Sequence, residues 1–214
     1  MSVKISPSLL AADFMNLNDE LKKLEECKTD MLHFDVMDGV FVPNISFANP
    51  ILKQLKANTN IPLDVHLMID KPHRYIREFS KSADYLGFHY EAGSDVSETL
   101  KEIRDCGCKA CLTIKPCTKA EEIFSFLPLC DMVLVMSVEP GFGGQSFMPD
   151  SLDKVRALRK EIDSKGYDTL IEIDGGINDE IAPLAIDAGV DVLVAGSYLF
   201  GDKMAERVEY LRSL

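Results

Sequence analysis

Eight short apolar runs, each separated from the next by an amphipathic stretch, are the feature that most narrows what this chain can become. The runs are VKISPSLL (3–10), MLHFDVM (31–37), PLDVHLM (62–68), YLGFHYE (85–91), KACLTI (109–114), MVLVMSV (132–138), TLIEID (169–174) and DVLVAGS (191–197). Between them, stretches such as NLNDELKKLEEC (16–27), PHRYIREFSKS (72–82), SETLKEIRDC (97–106) and SLDKVRALRKEIDSK (151–165) repeat apolar residues every three or four positions. Ser, Asn, Asp or Pro stands near several of their starts, as helix N-termini favour. Strand and helix alternate from end to end with no Gly/Ser/Pro linker and no break in composition. This predicts a single-domain α/β fold over residues 1–214, a closed (β/α)8 TIM barrel. An open doubly wound sheet is the runner-up.

The barrel carries a further expectation about alternation. One face of each strand meets the helices and the other faces the barrel interior. In HFDVM, Phe34 and Val36 share one face, while His33, Asp35 and Met37 share the other. DVHLM repeats the split, with Val65 and Leu67 opposing Asp64, His66 and Met68, and in IEID the pair Ile171 and Ile173 opposes Glu172 and Asp174. Three strands therefore turn polar groups inward, where an interior filled only for stability carries branched apolar residues. A polar layer satisfied by its own hydrogen bonds is the bland alternative.

Residues two apart on a strand point the same way, so His33 and Asp35 can bind one ion together. His66 and Asp174, near the ends of two other strands, would complete a shell of two imidazoles and two carboxylates. That set suits a divalent cation such as Zn, Fe, Mn or Co, and the ligand types do not choose among them. Coordination also makes a buried carboxylate tolerable. A second constellation is glycine-bearing: PGFGGQ (140–145), DGG (174–176) and GS (196–197) follow or end the last three strands. Such loops bring backbone N–H groups close to an anion, and the loops after strands seven and eight recur as a phosphate site in this fold class. The expected ligand carries a phosphate at one end and a metal-binding oxygen pair at the other. If Asp35 and Asp174 flank a carbon beside a carbonyl, one removes a proton from one face and the other returns one to the opposite face, inverting the stereocentre.

PSLLAADF (7–14), HFDVMDGVFVPN (33–44), DVHLMI (64–69), VMSVEPGFGGQ (135–145), IEIDGGI (171–177) and VAGS (194–197) together resemble the ribulose-phosphate 3-epimerases, in order and over the whole chain. The resemblance implies metal-dependent interconversion of D-ribulose 5-phosphate and D-xylulose 5-phosphate in the pentose phosphate pathway. It implies His33, Asp35, His66 and Asp174 as metal ligands, Asp35 as proton acceptor and Asp174 as proton donor for one direction. Ser8 would contact the sugar with His66 beside it, and Gly141, Phe142, Gly143, Gly144, Gly175, Gly176, Gly196 and Ser197 would hold the phosphate. Met37, Met68 and Met136 look like the family's methionine cluster around the enediolate. Val40, Ala48 and Cys117 depart from the commonest pattern near the mouth and bear on substrate preference, D-allulose 6-phosphate being the six-carbon alternative.

Other classes are disfavoured. The decarboxylase and hexulose-phosphate synthase group shares the barrel but carries Asp-x-Lys-x-x-Asp, whereas FDVMDG has no Lys and none occurs between Lys28 and Lys53. Lys115 is the only candidate for a Schiff base. A sugar-phosphate-binding protein without turnover would not need two opposed acid/base groups. The net charge of −12 repels phosphate backbones and anionic lipids, so neither nucleic acid nor membrane is an expected partner. The expected partners are a sugar phosphate and further copies of the chain in a homo-oligomer. No apolar run approaches the roughly 20 residues that cross a bilayer and the N-terminus lacks a secretory pattern, so a cytoplasmic location is expected. The six cysteines, including the pair Cys108 and Cys111, read as reduced, small apolar filling rather than a disulfide or zinc framework.

Overall fold

The computed structural model describes residues 3–214, so the first two positions of the expected domain lie outside the described residues. Eight strands form one parallel sheet: β1 Lys4–Pro7, β2 Leu32–Met37, β3 Leu63–Met68, β4 Tyr85–His89, β5 Lys109–Ile114, β6 Met132–Met136, β7 Leu170–Asp174 and β8 Val192–Ala195. Neighbours in sequence are neighbours in the sheet, and β1 also pairs with β8. The remaining seam, between β1 and β2, is bridged by Ser8 beside His33 and by the N–H groups of Asp30 and Met31 donating to the Ile5 carbonyl at 3.1 and 3.3 Å. The sheet thus curls into a barrel rather than staying open. Seven α-helices surround it: α1 Leu17–Glu26, α2 Asn49–Asn58, α3 Ile76–Phe79, α4 Val96–Asp105, α5 Ser151–Lys165, α6 Ile181–Ala188 and α7 Met204–Ser213. A 3-10 run, Ala120–Leu129, takes the helix position between β5 and β6.

Four of the eight expected strands end before their apolar stretches do. The extended run at 3–10 ends at Pro7, and Leu9–Ala11 becomes a 3-10 turn closed by Ala11 N–H on the Ser8 carbonyl at 3.1 Å. The runs at 85–91, 132–138 and 191–197 leave the ladder at His89, Met136 and Ala195, because their last residues build mouth loops. The helix expected over 72–82 is split into Pro72–Arg74 and α3, with Tyr75 at φ −121°, ψ −5° between them.

At the opposite end, one device recurs before each even strand. Asp30, Asp84, Asp131 and Asp191 each accept from the backbone N–H near the start of the preceding odd strand: Ile5 (3.0 Å), Leu63, Ala110 and Ile171 (each 2.8 Å). Each aspartate also meets a cation, Arg212, Lys56, Arg104 and Arg159 respectively. An N–H left without a ladder partner at a strand start must find an acceptor, and a carboxylate is a strong one.

The outward strand residues, among them Phe34, Val36, Val65, Leu67, Ile171 and Ile173, join the main apolar core beneath the helices. The interior is layered. Met31, Cys111, Met132 and Val192 pack at its base, and polar His33, Asp64 and Glu172, all buried, lie among the inward-facing strand residues. Cys108 Sγ donates to the Ser80 and Ala83 carbonyls at 3.4 and 3.3 Å, and all six cysteines are free. No helix among the described residues is long and apolar enough to cross a membrane.

Candidate active site

The register between β2 and β3 sets His33 beside Asp64, Asp35 beside His66 and Met37 beside Met68, and that between β6 and β7 sets Met136 beside Asp174. The period of two then aims these side chains into the barrel. His33 Nδ1 lies 2.6 Å from Asp64 Oδ2, which fixes its proton on that side and leaves Nε2 as an acceptor in the neutral ring. Nε2 faces His66 Nδ1 at 3.3 Å, Asp35 Oδ1 at 3.3 Å and Asp174 Oδ2 at 3.8 Å, while His66 Nδ1 and Asp35 Oδ1 are 3.1 Å apart. One ligand atom from each of these four residues lies within 4.8 Å of all the others. Four lone-pair-bearing atoms aimed at one another repel unless a positive charge sits among them, so the donor set fits a divalent cation.

The same crowding sets the proton affinities. Burial works against a charged His33, but the Asp35 and Asp64 carboxylates outweigh it and hold the imidazolium well above its ordinary value. Burial likewise opposes a charged Asp35, yet the neighbouring His33 and His66 rings keep its carboxyl below the usual range. Burial pushes Asp174 up to about 6, opposed by His33 and reinforced by Asp35. Glu172 lies deeper and is held well above its ordinary value by burial and by the Asp64 charge. Two neighbouring carboxylates, Asp35 and Asp174, therefore lie on opposite sides of their usual value, the pattern expected of an acid and a base sharing one site.

Above these atoms opens a cavity of about 920 Å³. Ser8, Asp35, Met37, Met68, Met136, Gly141–Gly144, Asp174–Gly176, Gly196 and Ser197 all line it. His33 and His66 are buried and absent from that lining, so Asp35 and Asp174 are the members of the four that face the cavity. Ser8 Oγ donates to Asp35 Oδ2 at 2.9 Å. The glycines after β7 are dictated by close approach: Gly175 sits at φ +125° and a Cβ there would lie 2.6 Å from Val138 Cγ2, while one at Gly176 would lie 2.7 Å from the Phe147 nitrogen. Asn44 Nδ2 donates to the Gly141 carbonyl at 2.7 Å and Gln145 Nε2 to the Glu139 and Phe142 carbonyls at 2.7 and 2.8 Å, which pins the loop after β6.

Several residues outside the expected set also shape the site. Ser137 Oγ donates to the carbonyls of Asp174 and Gly175 at 2.8 and 2.7 Å and so fixes the backbone that carries Asp174. His89 and Glu91, at the end of β4 and just beyond, stand behind His66. Their signal was a His-x-Glu pair with strand spacing in FHYE, the same spacing that drew attention to His33 and Asp35. Asp38 accepts from Val40, Phe41 and Asp70 N–H groups, each at 2.8 Å, and holds a turn. Lys115 Nζ rests 3.8 Å from the centre of the Phe41 ring and does not line the cavity. Val40, Ala48 and Cys117 are exposed and also lie outside the lining.

The Ribulose-phosphate 3 epimerase family model matches residues 4–200. Among curated relatives, the ribulose-phosphate 3-epimerase of Mycobacterium tuberculosis (strain ATCC 25618 / H37Rv) is 48% identical over 210 residues, covering 97% of this chain and 91% of its own. That of Bacillus subtilis (strain 168) is 45% identical, covering 93% of each chain, and that of Methanocaldococcus jannaschii is 45% identical over 98% of this chain and 90% of its own. Solved structures share the architecture at much lower identity. 3-Keto-L-gulonate-6-phosphate decarboxylase from Vibrio cholerae superposes with a TM-score of 0.72 at 15% identity, covering 100% of this chain and 97% of its own. 3-Hexulose-6-phosphate synthase does so with a TM-score of 0.67 at 16%, covering 100% and 99%. Those two share the barrel, whereas the match to the epimerases runs through the strands that carry His33, Asp35, His66 and Asp174: the chain belongs to the ribulose-phosphate 3-epimerase family.

Proposed function

We propose that this enzyme inverts C3 of D-ribulose 5-phosphate to give D-xylulose 5-phosphate, by proton transfer between two opposed carboxylates. The observation that carries the reading is the placement of Asp35 and Asp174 on different strands, both at the cavity floor and both in the four-residue donor cluster. His33, Asp35, His66 and Asp174 would hold one divalent cation, with Zn, Fe, Mn and Co all compatible. Bound there, it supplies electrostatic stabilisation for the negative charge that develops when a proton leaves the carbon beside the ketone. Asp35, whose carboxyl stays ionised, takes the C3 proton from one face. Asp174, with a proton affinity near neutrality, delivers a proton to the other. The roles reverse for the back reaction. Ser8, donating to Asp35 Oδ2, orients the acceptor and adjoins the sugar. Gly141 to Gly144, Gly175, Gly176, Gly196 and Ser197 present backbone N–H groups to the phosphate, and Met37, Met68 and Met136 form an apolar, polarisable wall around the reacting carbons. Burial of that wall excludes water from the developing charge. We place the enzyme in the cytoplasm, as a homo-oligomer.

A cavity of about 920 Å³ is large enough for a six-carbon substrate as well. Comparing kcat/KM on D-ribulose 5-phosphate and D-allulose 6-phosphate, with metal analysis of the same sample, tests the assignment. A preference for the five-carbon substrate is expected. A preference for the six-carbon one would reassign the enzyme, and turnover of neither would sink the proposal.

A further inference from the structure

We propose that His89 and Glu91 are positioning residues for His66, fixing which of its nitrogens is offered to the cation. The inference rests on the metal-site reading above. His66 has two ring nitrogens, and Nδ1 is the one that faces Asp35 Oδ1 and His33 Nε2, at 3.1 and 3.3 Å. A nitrogen that gives its lone pair to a cation carries no proton, so the proton of the neutral ring belongs on Nε2. That atom lies 2.9 Å from His89 Nε2, and two N–H groups cannot face each other at that distance. His89 Nε2 must therefore accept, which moves the His89 proton to Nδ1. His89 Nδ1 in turn lies 3.4 Å from Glu91 Oε2, within ion-pair range but without hydrogen-bond geometry, and both buried atoms lack any hydrogen-bond partner, so each is the nearest complement of the other. Glu91 is held in place through Oε1, which accepts from Lys115 N–H at 2.9 Å and from the Thr118 hydroxyl.

The ring pair thus has one polarity, His66 donating to His89, with the Glu91 carboxylate the charge that the remaining His89 N–H faces. It is enclosed as well as ordered: His89 is fully buried, with Phe41 against one side at 4.8 Å between ring centres and His66 on the other at 4.9 Å. His33 is backed in the shorter way, by Asp64 directly at 2.6 Å. A metal-ligating imidazole whose other nitrogen donates to a carboxylate is better oriented and more basic, and loss of such support costs about 10–100-fold in metal affinity. Here one ligand has its carboxylate in contact and the other has it relayed through a second imidazole.

The test is Co2+ binding to the chelator-stripped, full-length protein, followed by competition with a chromophoric chelator and by the visible absorption of the bound ion. His89→Leu removes the acceptor and should weaken Co2+ binding about 10–100-fold and alter the spectrum. His89→Gln offers a carbonyl to His66 and an amide N–H to Glu91, and should stay within about threefold of the parent. Glu91→Gln keeps the shape but sets a donor against one of three donors, His89, Lys115 or Thr118, and should weaken binding several-fold; it carries the test if His89→Leu does not fold. Parent-like affinity and spectrum in His89→Leu or Glu91→Gln, or equal losses in His89→Leu and His89→Gln, would overturn the inference while leaving the metal site standing. Failure of the parent protein to bind Co2+ at all would overturn the metal-site reading and this one with it.

Discussion

Asp35 is asked to do two things with two oxygens. Oδ1 points into the donor cluster, 3.3 Å from His33 Nε2, and Oδ2 takes a hydrogen bond from Ser8 at 2.9 Å on the cavity side. Asp35→Asn and Asp174→Asn should each lower kcat by about 10²–10⁴-fold, the usual worth of a positioned acid or base. Substrate affinity should fall much less, because the phosphate loops are untouched; near-normal turnover in either variant would contradict two-base transfer. Protons also compete with the cation. His33 is held above its ordinary value and must lose a proton for the four-residue shell to form, while Asp174, pushed up to about 6, can ligate through one oxygen with a proton on the other. Lowering the pH therefore weakens metal binding, by about tenfold or more per pH unit below 6, with proton release on binding. Calorimetric titrations between pH 5 and 8 check this, and a flat affinity would contradict it. The four donors were legible in the sequence because the strand period alone pairs His33 with Asp35. Ser137 was not, since its task is to hold two carbonyls and nothing in a lone serine signals that.

At the scale of elements, the two ends of the barrel do separate work. The C-terminal strand ends carry the cavity, and the N-terminal ends carry the four aspartates that clamp neighbouring strands. Asp131→Ala leaves the Ala110 N–H without its 2.8 Å acceptor and Arg104 without its partner. A loss of about 1–3 kcal/mol in stability is expected from the unsatisfied donor, read by urea unfolding, with kcat/KM unchanged. A large drop in kcat/KM at full stability would show that the two ends are not independent. The helix expected over 151–165 has those bounds because its apolar spacing is regular and Gly166, at φ +67°, ends it. The stretch 72–82 misled because its composition suits a helix throughout while Tyr75 interrupts the backbone. The clamp aspartates passed unnoticed because each looks like an ordinary turn residue, and only their recurring place, one or two residues before β2, β4, β6 and β8, marks them as a set.

For the molecule as a whole, the alternation of eight apolar and amphipathic runs was enough to anticipate a closed barrel, since β2, β3 and β7 are too polar on one face for a sheet buried evenly on both sides. The apolar core beneath the helices is built without the donor cluster, so metal should add to stability rather than create the fold. At a free concentration 100 times its Kd, a bound cation contributes about 2.7 kcal/mol. For a chain of this size that corresponds to a fall of about 5–10 °C in Tm on chelation, with far-ultraviolet dichroism of the folded state retained. Collapse of the dichroism at room temperature would contradict it. The central claim is that one carboxylate removes the C3 proton and the other returns a proton from solvent to the opposite face. It is tested most directly by metal-loaded protein turning over D-ribulose 5-phosphate in deuterium oxide, stopped early. D-Xylulose 5-phosphate carrying deuterium at C3 is the predicted result, whereas product that keeps its original hydrogen, or no product and no exchange, would contradict it.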